Sequence, residues 1–424
     1  MPAVRIPDDV AQTLVSASAY ATDAIHEAYR WLRAKNPLGV AEVEGFDPFW
    51  VVTKHADILE ISRNNARFPS AVRATTLTSQ AGDARARAIT GTPHLVRSIV
   101  QMDEPDHMKY RLLIQSWLAP ANVRKREEEV RSLARDAVSQ FVETSGKCDF
   151  VKDVALHYPL RVVMNILGVP PEDLPRMLRL TQELFGASDP DTERFKEAMS
   201  AEQFSTLLIA VVQDFSDYFE KLSADRRANP RDDLATVLAN AEIDGQPLPP
   251  LERTSYFTVI STAGHDTTSS STAGAMWALA TQPGLFDRVK ADPALIPALI
   301  EEAIRWTTPV KTFMRSAAED TQLRGRQLKQ NDWMMLCYAS GNRDEEIFPE
   351  PDRFNIDRTP NRQLAFGNGA HVCIGQHLAR MEMRILFEEL LPRVKSVSLD
   401  GEPRMSESFF VNGLKSLPIK FELA

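Results

Sequence analysis

Apolar residues recur at three- and four-residue intervals through much of this chain, the spacing that lines one face of a helix. After Pro120 the apolar set is Val130, Leu133, Ala134, Ala137, Val138 and Phe141. Arg124, Lys125, Glu127, Glu128 and Arg131 fall on the other face, which predicts an amphipathic helix packed on a core. The same pattern runs from Tyr158 to Leu167, where Gly168-Val169-Pro170-Pro171 stops it, and from Phe204 to Leu222. A longer apolar stretch from Leu251 to Ala280 closes on Gln282-Pro283-Gly284, and good helix formers fill Gln376 to Leu391 before Pro392. Strand candidates are short: Phe49 to Thr53, Leu336 to Tyr338 and Leu417 to Phe421. The expected fold class is mainly α with a minor β portion.

The middle of the 251–280 stretch breaks its own pattern, reading Ala263-Gly264-His265-Asp266-Thr267-Thr268-Ser269-Ser270-Ser271-Thr272. A buried acid or hydroxyl needs a partner, so this cluster is either solvated or serves chemistry. The plain structural alternative is that Thr267 donates to the carbonyl four residues back, that of Ala263, and slightly bends the helix.

Composition narrows the class. With 43% hydrophobic and 25% charged residues the chain can bury a large core. Its 424 residues would allow two or three domains by length. No Gly/Ser linker, low-complexity tract or internal repeat divides them, so a single domain over 1–424 is expected. A net charge of -9 argues against a general nucleic-acid binder. The segment Met1 to Val10 lacks the apolar stretch of a signal peptide and no apolar run is long enough to span a bilayer, so a cytoplasmic protein without membrane attachment is expected. Cys148, Cys337 and Cys373 are odd in number and far apart, which does not suggest a disulfide framework.

The candidate chemistry centres on Phe366-Gly367-Asn368-Gly369-Ala370-His371-Val372-Cys373-Ile374-Gly375, a glycine-rich turn that leads into a helix. Gly367, Gly369 and Gly375 permit positive φ, or let a flat macrocycle lie against backbone where a Cβ would collide. A thiol at a helix N-terminus meets unpaired N–H groups and the positive end of the macrodipole, which lower its pKa and favour the metal-binding thiolate. Cys373 is therefore a candidate iron ligand, and His371 a candidate partner for a haem carboxylate. The alternatives are a cysteine acting as a small buried hydrophobe and a zinc site; the latter lacks a second cysteine at ligand spacing.

This loop resembles the haem-binding loop of the cytochrome P-450 family, and the segment from Ala263 to Thr268 is similar to that family's oxygen-activation segment. Within the family the chain looks most like the soluble bacterial, terpineol-hydroxylating branch, in Ala263 to Ser271, in Asn342-Arg343-Asp344-Glu345-Glu346 and in Phe387-Glu388-Glu389-Leu390-Leu391-Pro392. The resemblance implies a single-domain P-450 fold with haem b held by Cys373, whose thiolate pushes electron density into iron and favours O–O cleavage. It also implies a groove of small residues over the metal, with Thr267 and Asp266 relaying protons to bound dioxygen. His265, where an apolar residue is often found, is expected to point outward.

Further residues follow from the same resemblance. His107 and Arg111, one helical turn apart, Arg315 and His371 would anchor the haem propionates. Glu302 and Arg305 lie three residues apart and would form the family's Glu-x-x-Arg brace; Arg353 is the preferred third member and Arg358 its rival. Substrate contacts are expected from about Ser70 to Val100, Leu180 to Phe204, the Ala263-Gly264-Thr267 groove, Val310 to Phe313, and Phe409-Phe410-Val411. Their mostly apolar side chains suit a terpenoid or a small aromatic hydrocarbon. The implied reaction inserts one atom of O₂ into a C–H or C=C bond.

No Gly-x-Gly-x-x-Gly fingerprint follows a strand and no cysteine set could hold an iron–sulfur cluster, so electrons are expected from a separate ferredoxin and its NAD(P)H-dependent reductase. Lys109, Arg111, Arg362, Arg380 and Arg384 are candidates to attract an acidic ferredoxin to a monomeric partner. A haem-thiolate peroxygenase or isomerase, which would not need the Asp266-Thr267 pair, and a non-enzymatic haem sensor are the competing readings.

Overall fold

The computed structural model describes residues 4–192 and 201–424, and among these the helical periodicity is borne out. The helices that shape the interior are α1 (Asp106–Gln115), α2 (Glu127–Glu143), α3 (His157–Leu167), α4 (Leu174–Phe185), α5 (Ala201–Ala228), α6 (Pro250–Thr281), α7 (Ile296–Thr307) and α8 (Gln376–Leu390). The stretch after Pro120 divides: a short turn, Pro120–Lys125, precedes α2, with Arg126 between them at φ -94° and ψ 3°. α2 opens on Glu127, Glu128 and Glu129, favourable at the positive end of the dipole, and buries Val130, Ala134, Ala137, Val138 and Phe141. α3 ends where Gly168 turns left-handed at φ +77°, as Gly168 predicts.

α6 lies at the centre, packed against α3 and α7 and crossed by α4 and α5. Its many hydroxyls are compatible with burial because they bond to the helix's own carbonyls. Thr258 donates to Thr254 O, Thr262 to Thr258 O, Ser270 to Asp266 O and Ser271 to Thr267 O, each four residues back. Around it lies the largest apolar cluster, drawn from α1 to α8.

A small β region sits to one side. Strands β1 (Leu38–Ala41), β2 (Phe49–Val52), β3 (Lys147–Asp149), β4 (Thr312–Ser316), β5 (Trp333–Cys337), β6 (Val394–Leu399) and β7 (Pro418–Leu423) contain the three predicted segments, each trimmed by one residue, at Thr53, at Leu417 and at Tyr338, where a helical turn begins. The main sheet runs β1-β2-β5-β4: β2 is parallel to β5 with Phe49 opposite Trp333, and β4 antiparallel to β5 with Met314 opposite Met335. Strand alternation sends Phe49, Val51, Trp333, Met335 and Met314 to one apolar cluster and Trp50, Val52, Met334 and Leu336 to another on the opposite face. A second sheet, β6-β7-β3, closes the far end, and a hairpin pairs Arg404–Met405 with Leu414–Ser416.

Candidate active site

Cys373 lies in a tight loop in which its own N–H donates to Phe366 O at 2.8 Å and Gly367 N to Leu364 O at 2.8 Å. Gly367 and Gly369 both have positive φ, and a Cβ at Gly369 would meet the Ser62 carbonyl oxygen at 2.0 Å. Gly375 differs: its φ is -85°, and a Cβ there would stand 3.9 Å from Cys373 Sγ, so the glycine leaves the sulfur's surroundings open without supplying an unusual backbone angle. α8 begins at Gln376, one turn after Cys373, and the Gly375 and Gln376 amides point at the sulfur. The expected lowering of the thiol pKa is nevertheless overturned. Burial pushes it up, outweighing those amides and the nearby Arg111 and Arg380 guanidiniums, which all pull it down. Although Cys373 has free surface, that surface faces a cavity.

The cavity gathers candidates from distant parts of the chain. His107, Arg111 and Ile114 share one face of α1 at i, i+4 and i+7, and Phe313 and Arg315 share one face of β4 at i and i+2; all five line it. His371 joins them, its ring 4.4 Å from that of His107 and its Nε2 3.3 Å from Ser70 Oγ. The charge balance here is incomplete. His107 is fully buried with neither ring nitrogen hydrogen-bonded, the nearest carboxylate being Glu104 at 3.7 Å. Arg111 bonds only the Val372 carbonyl and Arg315 that of Met314, and among the described residues neither is in an ion pair. Buried guanidiniums without anions are costly. A flat dianionic macrocycle carrying a metal that takes sulfur fits this donor set.

α6 is the wall on the other side. Ala263, Gly264, Thr267, Thr268 and Ser271 face the Cys373 cavity with Val259 and Ile260, as a 3.6-residue period requires. Thr267 Oγ1 donates to Ala263 O at 2.6 Å, so the back-bond and the cavity-facing position coexist. Asp266, Ser269 and Ser270 face the opposite way, into a separate polar cavity between α4 and the 404–416 hairpin that also holds Lys152, Asp189 and Lys415. Asp266 Oδ2 has no hydrogen-bond partner, and burial raises its pKa, with His265 pulling it down. Gly264 serves packing too, since a Cβ would meet Val163 Cγ2 at 2.8 Å.

Several expectations need correction. Glu302 and Arg305 form the expected pair at 2.7 Å, both fully buried, but the third member is Arg358, whose Nε reaches Glu302 Oε1 at 3.0 Å. Arg353 contributes only its carbonyl to Arg305 and sends its side chain to Glu350 at the surface. His265 does not point outward: it is fully buried, with Nδ1 2.8 Å from Thr181 Oγ1 of α4 and Nε2 2.8 Å from Leu156 O. Val310 lines the cavity, whereas Phe410 packs behind Phe313 with ring centroids 5.4 Å apart, Phe409 turns to the apolar cluster under the sheet, and Val411 faces the polar cavity. From the 70–100 segment, Ser98, Ile99 and Val100 reach the cavity. The 180–204 segment lies partly outside the described residues, and its Gln182 and Phe185 line the polar cavity instead. Arg111 is buried, Arg380 is paired with Glu301, and Arg384 with Glu127 and Glu388, while Arg362 is exposed.

Two cavity groups carried no sequence signal. Glu382 of α8 is buried with Oε2 unbonded, its pKa raised well above the ordinary range by burial, with Thr268 pulling it down. Tyr256 of α6 is buried with its hydroxyl unbonded. Each sits at a helical core position, where an aliphatic residue would satisfy the same pattern.

Residues 67–423 match the profile described as cytochrome P450. The chain is 46% identical over 422 residues to cytochrome P450-terp of a Pseudomonas species, covering 99% of each. It is 32% identical over 411 residues to linalool 8-monooxygenase of Pseudomonas putida, covering 96% of this chain and 98% of that one. The crystal structure of CYP108D1 from Novosphingobium aromaticivorans matches it with a TM-score of 0.91 and 44% identity, covering 100% of both chains.

Proposed function

The chain belongs to the cytochrome P450 family and is a monooxygenase of that family; from that premise we propose that residues 1–424 form one haem domain that hydroxylates an apolar terpenoid or aromatic hydrocarbon with electrons from a separate ferredoxin and NAD(P)H-dependent reductase. The observation that carries the site assignment is the meeting of Cys373 with Arg111, Arg315 and the orphaned His107 in one cavity. Cys373 would hold the metal through its sulfur, His107, Arg111, Arg315 and His371 would hold the two propionates, and Phe366, Gly367 and Gly375 would border the ring. When bound, the haem supplies reductive activation of O₂ and transfer of one oxygen atom to the substrate.

The remaining work falls to the chain. Val100, Val259, Ile260, Val310 and Phe313 offer an apolar surface that orients substrate with few hydrogen bonds. Thr267, its hydroxyl hydrogen committed to Ala263 O, presents an oxygen lone pair toward the cavity. Asp266 lines the separate cavity across α6; in this reading it takes protons there and gives them up toward Thr267. This acid-and-alcohol arrangement favours O₂-dependent chemistry over a peroxygenase. The relatives' names, a terp cytochrome and a linalool monooxygenase, support a terpenoid substrate.

Carbon monoxide added to the dithionite-reduced holoprotein tests the ligand: thiolate coordination gives a long-wavelength Soret band, and a well-folded sample with an imidazole-type band would refute Cys373. Titration with α-terpineol, linalool and p-cymene, followed by product analysis for the compound that best shifts the ferric spin state, tests the substrate class. Failure of all three would remove the terpenoid and aromatic assignment.

A further inference from the structure

His265 occupies a junction that the proposed oxygen chemistry does not use. Its ring bridges three segments: α6, which carries it, α4 through Thr181, and the start of α3 through the Leu156 carbonyl. Hydrogen-bond valence constrains the bridge. Nε2 faces a carbonyl and must carry a hydrogen, so a neutral ring leaves Nδ1 as an acceptor. Thr181 Oγ1 then has one hydrogen and two takers, His265 Nδ1 at 2.8 Å and Leu178 O at 3.0 Å. Only while α4 is seated can the hydroxyl satisfy the imidazole.

A second group stands beside it, able to donate to Nδ1 only in its protonated form. Asp266 Oδ1 stands 3.6 Å from the same Nδ1, just beyond hydrogen-bond reach, and its Oδ2 has no partner. With Thr181 removed, the nearest group able to engage that nitrogen is this carboxyl. α4 lines the polar cavity and meets the substrate wall only from behind: Phe185 packs edge-on to Phe410 at 5.8 Å, and Phe410 to the cavity residue Phe313 at 5.4 Å. One helix therefore touches the substrate wall through an aromatic ladder and the acid's neighbour through a hydroxyl.

We propose that His265 is a positioning residue that makes proton delivery by Asp266 conditional on α4 being seated against α6. With α4 in place, Thr181 holds the imidazole and leaves the carboxyl free to take a proton from the polar cavity and give one up toward Thr267. With α4 displaced, the ring keeps its Leu156 bond and the protonated Asp266 carboxyl donates its O–H to Nδ1, which holds that proton out of the relay. The inference rests on the role assigned to Asp266 above, and it specifies what controls that role.

The test uses holoenzyme with a ferredoxin donor and α-terpineol or, if that fails to shift the spin state, p-cymene as the probe. Thr181→Val is expected to raise peroxide formed per NAD(P)H several-fold, toward the level of Asp266→Asn, and to enlarge the solvent deuterium isotope effect. Its carbon monoxide spectrum and probe affinity should stay near wild type. Thr181→Ser should restore coupling, and the double Thr181→Val/Asp266→Asn should be no worse than Asp266→Asn alone. Deuterium uptake of Leu174–Phe185 in the holoprotein without the probe should rise in Thr181→Val and in His265→Ala. Wild-type coupling and isotope effect in Thr181→Val, or an additive double variant, would overturn the proposal while Asp266→Asn still uncouples. Wild-type coupling in Asp266→Asn would instead remove the relay itself, and the inference with it.

Discussion

At residue scale the placement of Thr267 bears directly on chemistry. Thr267→Ala keeps every apolar contact but loses the hydroxyl, so substrate binding should persist while reducing equivalents are diverted to peroxide; peroxide and product per NAD(P)H measure it, and tight coupling in the variant would contradict the role. Lys311 gives a separable pH signature. Its ammonium is buried, donates to Thr307 O at 2.6 Å, and has its pKa lowered to about 7 by burial and then by Arg343. Between pH 7 and the ordinary lysine value the unfolded chain holds a proton that the folded one lacks, so unfolding free energy rises with pH across that window. Lys311→Met should flatten the rise in denaturant titrations between pH 7 and 10. Cys373 was singled out by its local glycine-rich loop and His107, Arg111 and Arg315 by the resemblance, and all four line one cavity. Sequence could not show that the thiol is pushed up rather than down, since that depends on how much protein encloses the sulfur.

Among elements, the buried Glu302 joins α7 to the 348–361 loop. It accepts from Arg305, from Arg358 Nε at 3.0 Å, from the Asn355 amide at 2.8 Å and from Asn361 Nδ2 at 3.1 Å. Glu302→Ala strands two buried guanidiniums and should cost about 3–5 kcal/mol. Arg353→Ala removes a surface pair and should cost less than about 1 kcal/mol. Urea unfolding of the two variants compares them. Helix positions were legible because amphipathic period and stop residues are encoded locally. The choice between Arg353 and Arg358 was not, because both lie in one loop and only its folded path decides which side chain turns inward. His265 was misjudged for a related reason: its own helix says nothing about α4 lying across it.

For the whole molecule the question is where electrons enter. No described helix is long and apolar enough to cross a membrane, and the proposed donor is a diffusing acidic protein. Of the five cations first considered for its docking, Arg111 faces inward, Lys109 is paired with Asp244 at 2.5 Å, and Arg380 and Arg384 serve internal ion pairs. Arg362, exposed and next to the Cys373 loop, is the better candidate. Arg362→Glu should slow reduction by ferredoxin at low salt, with the deficit shrinking as salt rises and probe binding unchanged; equal reduction rates at low salt would reject it. Net charge spoke only against a general nucleic-acid binder and left local basic patches open, because it averages over a surface whose local distribution only the fold reveals.

The division of α6 between an apolar cavity and a polar one has an evolutionary consequence. Side chains at 259, 260, 263 and 271 can be varied to fit a new hydrocarbon while those at 266, 269 and 270 keep their own surroundings. Selectivity and proton supply thus occupy alternate stripes of one helix, and a library confined to the first should retune the substrate while sparing the second.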